Sequence, residues 1–357
     1  MRHVLARATT VAAIAVVLVV GAAGSALACG GLVTPNGTIN LVKTTTLAAY
    51  HDGIEHYVTS FEFAGAGEEV GSIIPLPGVP TDVVKGGDWT LQRLILETQP
   101  QDERLALFSA DAEAAAAPAQ VLFTTKVDAL DITVLKGGGV EVGNWAREHG
   151  YFLPPDAPEV LDFYADRSPI FLAARFNADR AADQGVQTGQ GTPVHITIPT
   201  PNPWVPLRIL ALGRKASELV QADVYLLTDR RPVTLPQARR SNPSGSGDER
   251  GLIQEVSEPA SRTLLSDLRS DRGMKWLPAE DMWLTYIRVN ETAGNLTHDL
   301  AIDASGYGHP SPVAAGYPFP PAVTPWPLLW VLIVAGIVAA VVAAASGRRP
   351  AGRMSLP

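Results

Sequence analysis

The sequence predicts an α+β protein with antiparallel β-sheets, an inserted helical pair and one C-terminal transmembrane helix. Short segments of β-branched or alternating apolar residues recur along the chain, and turn signals separate them. Two helical patterns interrupt these segments at residues 144–165. An uncharged apolar run at residues 328–345 has the length that a bilayer-spanning helix needs. Together these observations indicate a folded domain that is followed by a membrane anchor.

The first predicted elements form a β-hairpin. Residues 41–50 are rich in β-branched side chains, and residues 54–63 alternate between two faces. The His-Asp-Gly sequence at 51–53 supplies the turn between them. A third strand follows at 70–76, with prolines that place its end at a sheet edge. The apolar spacing at 89–97 then predicts a helix.

The middle of the chain predicts a strand pair and then a compact helical unit. A strand pair is expected within residues 121–135. Asn144 can cap the first helix, and Gly150 can end it in a left-handed turn. A Pro-Pro-Asp turn leads to a second helix with its apolar side at 160–164. A buried strand at 169–176 follows.

The C-terminal half of the domain predicts further strands of an antiparallel sheet. Val194, Ile196 and Ile198 alternate with His195, which places His195 on a solvent-facing side of its strand. The other predicted elements are strands at 205–212, 222–227 and 282–289, a flexible loop at 239–251 and a short helix at 264–271.

The N-terminus has the pattern of a secretory signal peptide. Arg2 and Arg7 precede an apolar core, and Ala26-Leu27-Ala28 forms an A-x-A cleavage pattern. We therefore expect cleavage between Ala28 and Cys29. The alternative is an uncleaved membrane anchor, which the short apolar core disfavours.

The C-terminus predicts a single-pass type I topology, with the N-terminal domain outside the cell membrane and the C-terminus in the cytoplasm. Trp326 and Trp330 suit the outer interface, whereas Arg348 and Arg349 mark the cytoplasmic side. The expected organisation is a signal peptide at 1–28, an extracytoplasmic domain at 29–305, a proline-rich stalk at 306–325, a transmembrane helix at 326–346 and a short basic tail at 347–357.

The composition of the predicted exported part limits the classes of molecule that it can bind. The formal charge of the chain is −8, and the signal and tail contribute five arginines with no acidic residue. The part between them therefore carries −13, which excludes nucleic acid as a natural partner. With one cysteine, no disulfide can form within the chain. The domain must depend on its apolar core for stability.

Several stretches in fixed order resemble the bacterial DUF2330 family, a domain of unknown function. They are "ACGG" after the signal, "SIIPLPGVP" at 72–80, the helical unit at 144–176, "VPLRI" at 205–209 and "MWLTYIRVNETAGNLTHDLAID" at 282–303. The resemblance implies an envelope location and a shared fold, but no activity, substrate or catalytic residue. Many members carry a second cysteine soon after the first, and this chain has Leu32-Val33-Thr34 there instead.

No established catalytic signature is visible. The nearest match to a serine-hydrolase elbow, at 244–247, lacks the flanking strand and helix, and no phosphate-binding loop is present. His51 and His56 flank the hairpin turn and are weak candidates for a Zn²⁺ or Cu²⁺ pair, the alternative being two exposed turn histidines. Five tryptophans could line a sugar or peptide surface or pack in the core: Trp89, Trp145, Trp204, Trp276 and Trp283.

The function that these observations favour is non-enzymatic: a membrane-anchored extracytoplasmic module for surface binding, sensing or envelope organisation. The expected partners are the lipid bilayer and an envelope protein or wall polymer, with no cofactor. The alternative is an envelope hydrolase whose site is assembled from distant residues.

We predict that the mature protein begins at an unmodified Cys29. Bacterial lipoproteins usually carry Leu three residues before the modified cysteine, whereas this chain has Ala26 there and Leu27 one place later. Intact-mass spectrometry of the protein from its native membrane should give the mass of residues 29–357. An added diacylglycerol mass would show that Cys29 is lipidated instead.

Overall fold

The computed structural model describes two compact units, one that ends at Tyr317 and one at Pro318–Pro357. Within them it describes residues 26–27, 31–33, 43–61, 71–98, 120–151, 153–177, 180, 183, 192–242, 249–303, 307–318 and 334–338. All statements about structure below concern these residues.

Seventeen strands and four α-helices are described here. The strands are β1 (Ala26–Leu27), β2 (Gly31–Val33), β3 (Lys43–His51), β4 (Ile54–Phe61), β5 (Gly71–Pro75), β6 (Asp82–Lys85), β7 (Gln120–Val127), β8 (Leu130–Lys136), β9 (Ile170–Phe176), β10 (Thr192–Pro199), β11 (Trp204–Val205), β12 (Leu219–Thr228), β13 (Val233–Leu235), β14 (Arg239–Arg240), β15 (Gly251–Pro259), β16 (Trp283–Thr292) and β17 (Leu300–Asp303). The helices are α1 (Thr90–Thr98), α2 (Gly139–Glu148), α3 (Ala157–Ala165) and α4 (Arg262–Ser270).

The strands form three sheets, which confirms the predicted α+β class. The large sheet has the order β14-β15-β16-β12-β3-β4-β10-β6, and β1 pairs with β3 beside this path. A five-stranded sheet has the order β2-β5-β9-β8-β7, and a small sheet has the order β11-β17-β13. Most pairs are antiparallel, but β3 runs parallel to both β1 and β12, and β14 runs parallel to β15.

The predicted hairpin is confirmed as β3 and β4. Ala49 lies opposite His56, and His51 lies opposite Ile54. Asp52 and Gly53 adopt positive φ angles of 50° and 78°, as a tight two-residue hairpin turn requires. The register places Leu47, Ala49 and Val58 on one face of the large sheet and Ala48 and Tyr57 on the other.

The two faces of the large sheet are buried in two different apolar clusters. One cluster combines the large sheet, the five-stranded sheet and helices α2 and α3. The other combines the large sheet with α1, α4 and the loop that follows α4. Because both faces are covered, an alternating strand in the middle of this sheet has no solvent-facing side.

The helical pair is confirmed, although α2 begins earlier than predicted. Asn144 lies inside α2, which starts at Gly139, so Asn144 is not its N-cap. Gly150 follows the helix with a φ angle of 81°, as predicted for a left-handed turn. The ring of the next residue, Tyr151, lies so close to Gly71 in β5 that a β-carbon at position 71 would fall 1.7 Å from Tyr151 Cε1.

In the C-terminal half, one strand prediction was wrong and one loop prediction was wrong in part. Residues 205–212 are not one strand, because β11 ends at Val205 and a 3₁₀ turn occupies Arg208–Ala211. Pro206 lacks a backbone N–H, and the next two amides donate to Asp299 rather than to a neighbouring strand. The predicted loop at 239–251 contains the edge strand β14, and the sequence reading missed β15.

The predicted transmembrane helix at 326–346 overlaps the described residues only at 334–338, which are helical. Within the described ranges, no helix has both the length and the apolarity to cross a membrane.

A buried ion pair ties the C-terminal end of the first unit to α3. Arg167 Nη2 donates to Asp299 Oδ2 over 2.5 Å, and the Asp299 side chain is completely buried. Asp299 Oδ1 also accepts from the Tyr164 hydroxyl, the Leu207 amide and the Arg208 amide, at 2.7–2.9 Å. Burial raises the pKa of the Asp299 carboxyl, and the Arg167 charge opposes that rise. We call these residues the Asp299 hub.

The hub also holds residues 311–317, which we call the strap. Arg167 Nη1 donates to the carbonyl of Ala314 over 2.5 Å, and the amide of Asp299 donates to the carbonyl of Ala315 over 3.1 Å. Ala314 and Ala315 are buried. His298 stacks on Tyr317 with ring centroids 3.9 Å apart. The strap therefore packs as part of the first unit, although it lies within the range that the sequence predicted as a stalk.

We predict that Asp299→Asn destabilises the first unit by about 3–5 kcal/mol, because it leaves the Arg167 guanidinium buried without a countercharge. Urea unfolding of the mature protein, followed by tryptophan fluorescence, should measure this loss. The matched control is Glu159→Gln, which removes the exposed partner of Arg208 and should cost less than about 1 kcal/mol. Equal effects of the two substitutions would contradict the central role of the hub.

Candidate functional site

The most unusual cluster of titratable groups lies on the central strands β4 and β10. The adjacent residues Glu55 and His56 point to opposite faces of the large sheet, and both are buried. On the next strand, His195 lies opposite Val58 and is a diagonal neighbour of His56. Strand pairing and the covered faces therefore bring three ionisable side chains into the interior at one place.

His56 and His195 contact each other directly, and we call them the imidazole pair. His56 Nδ1 lies 2.9 Å from His195 Nε2, so one ring donates a hydrogen bond to the other. The two residues are 7% and 4% exposed. The prediction that His195 faces solvent was wrong, because the segment after α4 covers this face of the sheet.

Burial keeps the imidazole pair neutral. It lowers the pKa of His56 to about 3, with smaller contributions from His195 and His51. Burial also lowers the pKa of His195 to about 4, and the Asp82 carboxylate opposes that change. At neutral pH the pair is thus two uncharged rings with lone pairs available on nitrogen.

The loop after α4 covers the pair at two points. Trp276 stacks on His56 with ring centroids 3.5 Å apart and planes within 3° of parallel. Gly273, with a φ angle of 77°, approaches so closely that a β-carbon there would lie 3.1 Å from His195 Nδ1. Asp271 anchors the loop by accepting hydrogen bonds from the Trp89 amide and the Thr90 hydroxyl at the start of α1.

The structure gives His51 and His56 different partners. His51 Nδ1 lies 2.6 Å from the Asp229 carboxylate, and its Nε2 lies 3.4 Å from Asp52. The sequence reading, which suggested these two histidines as a weak metal pair, missed His195 as the neighbour of His56. Among the residues that the structure describes, no three His, Cys, Asp or Glu side chains gather closely enough to hold a metal ion.

Glu55 is the second unusual group. Its side chain is completely buried, and neither carboxyl oxygen has a hydrogen-bond partner among the described residues. Burial raises the pKa of Glu55 to about 8, and the nearby backbone of Trp204 opposes part of that rise. Glu55 is therefore a neutral carboxylic acid at pH 7. Burial raises the pKa of Tyr50 across the hairpin, and the Glu55 and Asp229 carboxylates, when ionised, add to that rise.

The five tryptophans lie on separate elements and serve mainly in packing. Trp145 and Trp204 are buried, and Trp145 stacks on His149 at 4.3 Å. Trp283 is half-buried and donates its indole N–H to Ser257 over 2.9 Å. The other residues that the sequence singled out lie outside the described residues: Ala28, Cys29, Trp326, Trp330, Arg348 and Arg349.

Comparison with known proteins identifies a family whose members are described as uncharacterized. A family model described as "Uncharacterized protein conserved in bacteria (DUF2330)" matches residues 23–242. No curated protein matches the chain.

Three solved structures resemble the chain at low similarity. In a caspase-8/P35 complex, the matched chain is 8% identical, with a TM-score of 0.38 over 73% of this chain and 96% of that one. Baculovirus P35 is 11% identical, with a TM-score of 0.34 over 62% and 76%. A mutated baculovirus P35 after caspase cleavage is 9% identical, with a TM-score of 0.35 over 61% and 78%. These values carry no argument about function.

We predict that the wild-type protein loses stability as the pH becomes alkaline and that the Glu55→Gln variant does not show this loss. A carboxyl group whose pKa is raised from its ordinary 4.5 to about 8 in the folded protein stabilises the fold fully below pH 4.5, and this contribution is lost as the pH rises to about 8. Each unit of pKa difference corresponds to about 1.4 kcal/mol, so wild type should lose a few kcal/mol over this interval.

Urea unfolding at pH 5 and pH 9 should show a larger drop for the wild-type protein than for Glu55→Gln, which stays neutral. The exposed substitution Glu159→Gln is the matched control and should leave the wild-type pH dependence unchanged. A Glu55→Gln variant with the same pH dependence as wild type would show that the Glu55 pKa is not raised.

Proposed function

Because this chain belongs to the DUF2330 family of uncharacterised bacterial proteins, we propose that it is a membrane-anchored extracytoplasmic protein whose folded domain binds an envelope partner. In this proposal the signal peptide directs the chain outward, and residues 326–346 hold it in the cell membrane. The first unit then faces the envelope and acts by binding rather than by catalysis.

The observation that carries the proposal is the apolar character of the C-terminal unit. Residues 328–345 contain no charged side chain. Within this run, residues 334–338 are helical, and Val334, Ile337 and Val338 are 54%, 59% and 55% exposed. Large apolar side chains that are exposed in one short helix favour a lipid environment, and the arginines that follow favour a cytoplasmic tail.

The strap supports a binding or organising role because it joins the folded core to the chain that leads to this run. The backbone of Ala314 and Ala315 is hydrogen bonded to Arg167 and Asp299. A mechanical force on the strap would therefore act on its hydrogen bonds to the buried pair Arg167 and Asp299. A domain that binds a fixed partner benefits from such an attachment.

The geometry around the histidines also favours binding over hydrolysis. A serine hydrolase needs a hydroxyl nucleophile at the second nitrogen of a histidine that an acid orients. His51 has the acid, Asp229, but its other nitrogen faces the Asp52 carboxylate. His56 and His195 are bonded to each other.

The anchor can be tested by sodium carbonate extraction of membranes. We expect the full-length protein to stay in the membrane pellet and a chain truncated after Tyr317 to be released as an exported soluble protein. Ile337→Asp with Val338→Asp should weaken retention, since a central acidic residue costs about 2.5–3.5 kcal/mol in a spanning helix. The matched control, Ile337→Leu with Val338→Leu, should be retained. Release of the full-length protein by carbonate would refute the anchor.

The binding role can be tested with the same two chains in living cells. A photo-crosslinking residue at the exposed positions Val79 or Val140 should capture one reproducible envelope component in the anchored protein. Labelling of a serine by a fluorophosphonate probe, in a native but not in an unfolded protein, would instead support the hydrolase alternative.

A further inference from the structure

We propose that His56 and His195 form a binding site for a monovalent d¹⁰ metal ion, Cu⁺, held between Nδ1 of His56 and Nε2 of His195. The proposal does not rest on the function proposed above. It rests on two buried imidazoles whose nitrogen atoms face each other at 2.9 Å under an indole ring. Imidazole nitrogen is a good ligand for copper.

The number of available protein ligands, two, favours Cu⁺ over Zn²⁺ at this site. Structural Zn²⁺ sites are almost always four-coordinate and tetrahedral, and no third His, Cys, Asp or Glu ligand joins the pair within the described residues. The pair is more than nine-tenths buried, so water molecules have little room to complete a tetrahedral shell. Cu⁺ forms stable linear complexes with two nitrogen ligands, and its single charge costs less to bury than a double charge.

The distance between the nitrogens needs a modest adjustment. Metal–imidazole bonds are about 2 Å long, so a linear ion needs its two nitrogens about 4 Å apart. The pair must therefore open by about 1 Å, which small side-chain rotations can supply. A β-carbon at position 273 would lie 3.1 Å from His195 Nδ1, so the glycine at this position avoids one obstacle to a tilt of the His195 ring.

Binding of the ion causes no net gain or loss of protons at the site, so it needs no acid or base partner. In the free protein one facing nitrogen carries the hydrogen-bonding proton and the other carries a lone pair. On binding, the donor ring changes tautomer: it gives up the proton on its facing nitrogen and takes up a proton on its other nitrogen. Two neutral imidazoles then donate two lone pairs to the ion, and no net proton or electron is exchanged.

The surroundings suit a single positive charge. Asp82 on the neighbouring strand acts electrostatically on His195. The face of the Trp276 indole lies 3.5 Å from the His56 ring, and indole faces attract cations. His51, the other group that acts on His56, is itself paired with Asp229.

The test uses the full-length protein in detergent with Cys29→Ser, which removes the only thiol. Cu⁺ is added without oxygen and with a reductant, and Ag⁺ serves as a redox-inert probe. We expect one ion bound per chain in equilibrium dialysis and quenching of Trp276 fluorescence, defined by comparison with Trp276→Phe. His56→Gln or His195→Gln should weaken binding at least tenfold, whereas His51→Gln should bind like the parent protein.

X-ray absorption of the Cu⁺-loaded parent keeps the proposal testable if the histidine variants do not fold. Two nitrogen neighbours at about 2 Å would support the site. Sulfur neighbours, a four-coordinate ion or the absence of stoichiometric binding would overturn it. Equal weakening by His51→Gln would also overturn it, because that result places the ion at the hairpin turn.

Discussion

One buried carboxylate, that of Asp299, holds several segments of the first unit together. Asp299 pairs with Arg167 and accepts hydrogen bonds from Tyr164 and from two consecutive backbone amides at 207 and 208. These groups come from α3, from the turn after β11 and from the segment before β17. A charge without water must be paired and hydrogen bonded, so the hub fixes all three segments together. The strap is held by the same arginine.

A second constraint is that strand β4 carries ionisable residues toward both covered faces of the large sheet. Glu55 is neutral because its carboxyl is protonated, and the imidazole pair is neutral because both rings are unprotonated. Burial therefore keeps these three side chains uncharged in the ion-free protein by shifting the pKa values of the acid and of the imidazoles in opposite directions. At the hub, in contrast, burial raises the pKa of Asp299, but the Arg167 charge and the hydrogen-bond donors around the carboxyl oppose that rise.

Local signals predicted much of the fold, whereas contacts between distant segments decided the rest. The hairpin, its turn, the helical pair and Gly150 could be predicted because alternation, turn chemistry and capping act within a few residues. Residues 205–212 were predicted as a strand because their pattern does not reveal that Asp299 binds their amides. The alternation around His195 marked a polar position correctly, but only the loop that carries Trp276 decides that this position is buried. No single-sequence pattern joins His56 to His195, since their pairing depends on the register of β4 and β10.

The parallel contact between β3 and β12 joins early and late parts of the chain. β3 ends at His51, and its partner begins at Leu219. The next strand in the sheet, β16, lies beyond residue 242, where the family match ends. A chain that is synthesised N-terminus first exposes one edge of the β3–β4 hairpin until β12 has been made. Such long-range pairing slows folding, and an open strand edge invites pairing with other chains. The order of strands thus makes the interval before β12 is synthesised the one in which the hairpin of this protein is most open to mispairing.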